Sequence, residues 1–119
     1  MLACVPGDQH TFGVVMFGQF LRREGWDVWN EFPLNNDELL DTVRGNSFTL
    51  VGLSVGSEGR LDALTAAIRA VRRASRNRNV CVMVGGPVLA ARPELASAVG
   101  ADSTAADGKA AAAWVRTRF

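Results

Sequence analysis

The sequence predicts an α/β protein in which a five-stranded parallel sheet lies between two layers of helices, a doubly wound three-layer sandwich. Three observations carry this. Short apolar runs alternate strictly with longer segments of helical period, the runs lack the polar alternation of a half-exposed strand, and several of the turns that follow them are rich in glycine. Strands of that kind are buried on both faces, as a parallel sheet covered by helices requires.

Leu2 to Val5 reads as the first strand and Thr11 to Glu24 as the first helix. Phe12, Val14, Val15, Met16, Phe17, Phe20 and Leu21 make that helix apolar over most of its circumference, so more than one side of it needs cover, from the sheet or from a ligand or partner. Gly25 closes it as a C-cap. Trp26 to Trp29 reads as the second strand, with both tryptophans packing at the sheet edge. Asp37 to Arg44 is the second helix and Phe48 to Ser54 the third strand. In the third helix, Arg60 to Ser75, a stripe of Leu61, Leu64, Ile68 and Val71 recurs at steps of three and four. Arg69, Arg72, Arg73 and Arg76 take its other faces near the end, where cations suit the helix macrodipole and read as a solvated face. Val80 to Val84 is the fourth strand and Pro87 to Val99 the fourth helix, ended by Gly100. Asp102 to Ala105 is the fifth strand and Gly108 to Arg116 the last helix, whose run Ala110 to Ala113 suits close packing.

The 119 residues make one domain, residues 1–119, and 48% hydrophobic with 21% charged residues is an ordinary globular balance. Thirteen Lys and Arg against twelve Asp and Glu leave a charge of +1, which argues against direct nucleic-acid binding or a membrane surface. Cys4 and Cys81 sit in apolar runs without CxxC spacing and read as buried thiols of a reducing compartment. With no basic segment leading into a long apolar stretch, the expected location is the cytoplasm.

In an open parallel sheet, ligands bind beyond the carboxyl ends of the strands. The loops there are PGDQHTFG, LNND, SVGSEG, GGPV and AADG. Glycine is dense in the first, third and fourth, which leaves backbone open to a large ligand. A phospho-accepting receiver needs an aspartate ending the third strand, where Ser54 stands. A dinucleotide binder needs GxGxxG in the first turn, and a flavodoxin needs a hydroxyl-rich loop there; the first loop offers neither. It offers the chain's one histidine, His10, two residues from Asp8. An imidazole binds a transition metal through one nitrogen, and a carboxylate on the other fixes the ring. One histidine and one aspartate are too few to hold a bare ion. A metal here should arrive already chelated in a macrocycle, a corrinoid or a haem.

Asp8-x-His10-x-x-Gly13, then Ser54 opening SVG, then Gly85-Gly86, resembles the DxHxxG, SxL and GG signature of cobalamin (vitamin B12)-binding domains. Forty residues separate Gly13 from Ser54 and twenty-eight separate Gly56 from Gly85, close to that family's spacing. The stretches DQHTFG, GWDVW and SVGS are most similar to the short photosynthesis-gene regulators of the AerR and PpaA type. The resemblance implies a flavodoxin-like (Rossmann-like) sandwich that holds cobalamin with its own base displaced from cobalt. It implies His10 as the lower axial ligand, Asp8 as its hydrogen-bond partner, and Gly13 beside the nucleotide tail. Ser54 would meet the benzimidazole end, and Gly85 and Gly86 would leave room for the tail. Gly56 departs from the larger residue that usually ends SxL, which implies a reshaped slot and keeps haem as an alternative macrocycle.

No residue set here pairs a nucleophile with a base, or two acids, around a substrate pocket. The expectation is therefore a non-enzymatic, cofactor-binding sensory or regulatory module, with an adenosyl, methyl or hydroxo cobalamin and a regulatory protein as partner. The alternatives are a corrinoid carrier for a methyltransferase or mutase, and a haem-based redox or gas sensor.

Overall fold

A computed structural model describes residues 1–4, 12–31, 36–56, 58–105 and 107–119. Five strands form one parallel sheet in the order β2-β1-β3-β4-β5. They are β1 (Leu2–Cys4), β2 (Asn30–Glu31), β3 (Leu50–Ser54), β4 (Cys81–Gly85) and β5 (Ser103–Thr104). The helices are α1 (Phe12–Arg23), α2 (Asn36–Gly45), α3 (Leu61–Ala74), α4 (Pro87–Ala91), α5 (Leu95–Ala98) and α6 (Gly108–Arg118). The doubly wound three-layer sandwich expected from the alternation is the observed fold. Among the described residues no helix is long and apolar enough to cross a membrane.

Alternate residues of each strand face opposite layers. On one face, Ala3, Val51, Leu53, Val82 and Val84 pack against Leu39 and Val43 of α2, Leu64, Ile68 and Val71 of α3, and Leu89 of α4. The predicted stripe of the third helix is thus the buried one. On the other face, Leu2, Leu50, Cys81 and Met83 meet Val14, Phe17 and Leu21 of α1 and Ala111, Ala112 and Val115 of α6. Cys81 is the buried thiol expected; the Cys4 side chain lies outside the described set.

Helix ends follow the sequence closely. Trp26 N–H donates to Leu21 O at 3.1 Å and Gly25 N–H to Arg22 O at 3.1 Å, the paired bonds of a Schellman motif, with Gly25 at φ 93°. Gly100, at φ 89°, repeats the pattern after α5. Of the arginines near the end of α3, Arg72 bonds Gly100 O at 2.9 Å and the Asp102 carboxylate at 3.1 Å, and that carboxylate accepts the Val82 N–H at 2.8 Å. One side chain so ties α3 to the approach to β5.

Two elements differ from expectation. The second strand is Asn30–Glu31 and not Trp26 to Trp29: parallel pairing starts only where the Leu2 N–H reaches Trp29 O at 2.7 Å. Trp26 and Val28 are apolar because they pack against the α1 and α6 layer while the chain climbs back to the sheet. Trp26 lies edge-on to Phe119, with ring centroids 5.6 Å apart, and Trp29 edge-on to Phe48 at 5.7 Å. The single helix expected over Pro87 to Val99 is broken into α4 and α5. Pro93 has no N–H to continue the ladder and drives Arg92 out of the helical region, to φ −135° and ψ 74°.

Candidate functional site

With strand order 2-1-3-4-5, the chain's direction of winding reverses between β1 and β3, and a crevice opens there at the carboxyl ends of the strands. A cavity of about 980 Å³ occupies this place, between the sheet and helices α1 and α6. Register fixes its layers. The row across the sheet runs Asn30, Leu2, Gly52, Met83, Ser103, and its middle three members face the cavity. Two residues further along, Ser54 pairs with Gly85. Leu2, Gly52 and Met83 line the cavity at its floor, and Ser54 and Gly85 nearer its mouth.

The space exists because side chains are missing on this face. A Cβ on Gly85 would meet nothing within 4 Å, so the strand end is open surface toward the cavity. A Cβ on Gly52 would strike Leu2 Cδ2 at 2.6 Å, so glycine there lets the Leu2 side chain lie over the strand as part of the floor. Gly108 lets α6 approach α1, since a Cβ there would lie 3.0 Å from the Phe17 backbone nitrogen. Phe17, Phe20 and Met16 of α1 then wall one side and Ala111 of α6 the other. This is where the unusually apolar first helix goes: one part meets the sheet and another faces the cavity.

Gly86 also lines the cavity, but for a different reason from Gly85. It sits at φ 116°, and a Cβ there would fall 2.0 Å from Val55 O. The crossing of the two loops therefore demands glycine whether or not a ligand is present. The backbone cross-link beside it, Val55 N–H to Gly85 O at 3.1 Å, holds the loops together.

Among the described lining residues the polar side chains are Ser54, Asp107 and Lys109. Asp107 is the N-cap of α6, its Oδ1 accepting the Ala110 N–H at 2.8 Å. Lys109 follows in the first turn, and both stand at the carboxyl end of the sheet. The Cys81 thiol, below the floor row, is pushed above its usual range by burial first and by the Asp102 charge second. It is a packing group and not a reactive one.

Of the residues expected to form the site, Ser54, Gly85 and Gly86 come together around this cavity. Gly13 lies in the first turn of α1. Gly56 is half-buried just beyond β3 and is not among the described lining residues. Asp8 and His10 lie outside the described residues. Sequence reasoning did not single out Gly52, Met83 or Lys109; it placed Phe17 only within the apolar first helix and Asp107 only within the AADG loop. The first two had a signal: strand period two places Gly52 on the face of Ser54, and Met83 on that of Gly85.

Comparison with known proteins agrees with this architecture. The fold matches that of a cobalamin-binding protein from Desulfitobacterium hafniense DCB-2, with TM-score 0.87 and 22% identity over 99% of this chain and 57% of that one. It also matches the monomethylamine corrinoid protein of Methanosarcina barkeri, with TM-score 0.82 and 17% identity over 99% of this chain and 56% of that one. A curated relative, the uncharacterized 20.5 kDa protein of the bchF-crtJ intergenic region of Rhodobacter capsulatus, is 28% identical over 102 residues, covering 86% of this chain and 53% of the relative. The chain spans little more than half the length of each of these proteins. The B12 binding domain model matches residues 1–115, and with this sheet, crevice and glycine pattern the chain belongs to that family.

Proposed function

We propose that the chain binds a cobalamin with its nucleotide tail inserted in the cavity between α1 and α6, and acts as a sensory or regulatory module. The observation that carries this reading is the cavity itself. It is large, apolar in its depth and open at the carboxyl ends of the strands, where the corrin would lie. A bound corrinoid supplies a cobalt centre with an exchangeable or photolabile upper ligand. The chain's own residues hold the cofactor: the floor row and the α1 aromatics exclude water from the tail, and Ser54 offers a hydroxyl to a ring nitrogen. His10 would hold the cobalt through one ring nitrogen, as the family resemblance implies, and Asp8 would accept a hydrogen bond from the other and fix the tautomer.

The regulatory role draws support from the relative encoded between bchF and crtJ, and from the likeness of DQHTFG and SVGS to the AerR and PpaA regulators. A second reading, a corrinoid carrier, draws support from the likeness of fold to the monomethylamine corrinoid protein. Titration with hydroxocobalamin tests the ligation. The expected result is a histidine-ligated spectrum that weakens on acidification below a histidine pKa of about 6.5. His10→Ala is expected to give a spectrum without nitrogen beneath cobalt, or to lose binding; a mutant spectrum identical to the wild type rules out His10. Haemin in the same assay tests the other macrocycle. Loading with adenosylcobalamin, then comparing dark and illuminated samples for oligomeric state or protein contact, separates sensor from carrier. Identical dark and light behaviour with efficient methyl transfer to an acceptor favours the carrier.

A further inference from the structure

We infer that the cavity selects its corrinoid by the lower base, favouring a cobamide whose base has a hydrocarbon edge, such as dimethylbenzimidazole, over one that carries adenine. This rests on the proposal that the nucleotide tail enters the cavity. The floor is the row Leu2, Gly52 and Met83, with Phe17 beside it: the Phe17 ring lies 3.7 Å from where a Gly52 Cβ would stand. Every one of these side chains is apolar, and the polar ends of the same row, Asn30 and Ser103, are not among the described lining residues. The backbone donors of the row are already engaged, Leu2 N–H with Trp29 O at 2.7 Å and Gly52 N–H with Met1 O at 2.8 Å.

The polar lining is at the other end. Ser54 stands two residues nearer the mouth, about 6–7 Å at the usual strand rise. Asp107 and Lys109 are at the start of α6, at that same end. A ring that enters past Ser54 therefore keeps one hydroxyl beside its near edge and brings its far edge onto hydrocarbon. The methylated edge of dimethylbenzimidazole suits this floor. Adenine has an amino group and two ring nitrogens on its six-membered ring, and these would lose water without gaining a partner. Gly52 lets the Leu2 side chain lie across the strand, with Leu2 Cδ2 2.6 Å from where a Gly52 Cβ would stand, so the floor under the base is hydrocarbon.

The test uses the unaltered chain and three corrinoids that differ only beneath the ring: cobalamin, the adenine cobamide, and cobinamide, which has no nucleotide. The expected order is cobalamin tighter than the adenine cobamide by about tenfold or more, the scale of one or two unpaired buried polar groups. The adenine form should lie close to cobinamide. If both cobamides exceed cobinamide and bind alike, the tail does enter and the selectivity is overturned. If all three bind equally, the tail does not enter and both proposals fall. Met83→Gln, close to Met in length, supplies a partner at the floor and should narrow the preference for cobalamin. A folded Met83→Gln chain with an unchanged ratio would place the base elsewhere and overturn the inference.

Discussion

The two faces of the sheet are built from the same strands and do opposite things. Toward α2 and α3 the strands present Val51, Leu53, Val82 and Val84, and the helices answer with Leu64, Ile68 and Val71, all at 2% exposure or less. Toward α1 and α6 the central strands present Gly52, Met83 and Gly85, and the facing helices carry Ala111 and Gly108 at the cavity. One face is filled with buried branched aliphatics. The other is left short of side-chain volume at its carboxyl end, and that shortage is the site. Stability and binding should therefore be separable by face.

Gly86, on the seam between them, should have the largest effect. Gly86→Val places a branched side chain at φ 116° against Val55 O, and should cost about 3 kcal/mol or more, measured by urea denaturation of the apoprotein. A variant that folds normally but loses cobalamin would show the loop crossing to be tolerant and assign this glycine to the ligand.

Next comes a direct test across the sheet. Ile68→Ala on the filled face should destabilise the apoprotein by about 2–5 kcal/mol, since it leaves a hole among residues that cannot close it. Phe20→Ala removes a larger side chain, yet Phe20 is half-buried and borders space already empty. Its cost should be clearly smaller than that of Ile68→Ala. Equal costs would mean that the α1 layer is as tightly knit as the α3 layer.

Gly85→Leu should invert that pattern. Its side chain would enter open space, so the apoprotein should change by only about 0.5 kcal/mol, while cobalamin affinity falls tenfold or more. Unchanged affinity in the folded variant would remove Gly85 from the site.

The smallest effect belongs to Cys81. Burial and the Asp102 charge raise its folded pKa, so the folded state holds the proton more tightly than the unfolded state. The resulting stability is complete below the unfolded thiol pKa of about 8.5 and is lost as pH rises through the raised folded value. The fall in denaturation midpoint between neutral and alkaline pH should be shallower in Cys81→Ala. Alkylation of this thiol in the native protein should be slow at neutral pH.

The sequence by itself determined the layers. Short unalternated apolar runs between helical segments read as strands covered on both sides, the Leu64, Ile68 and Val71 stripe faces a core, and Gly25 and Gly100 stand where helices reverse. These are local properties, set by period and backbone sterics, and they survive any choice of partner. Composition marked the glycine-rich loops at the strand ends, and the resemblance to the DxHxxG, SxL and GG signature named Ser54, Gly85 and Gly86 within them. Tertiary structure decided the rest. Trp26 and Val28 have strand-like composition, but their neighbours in space are α1 and α6, which no local period reports. Gly85 and Gly86 are adjacent and chemically identical in the sequence. Only the space at each Cβ position, open at Gly85 and taken by the Val55 backbone at Gly86, assigns the first to the cavity and the second to the loop crossing. Gly52 and Met83 became a floor because parallel register set them side by side, a pairing fixed by hydrogen bonds between segments some thirty residues apart.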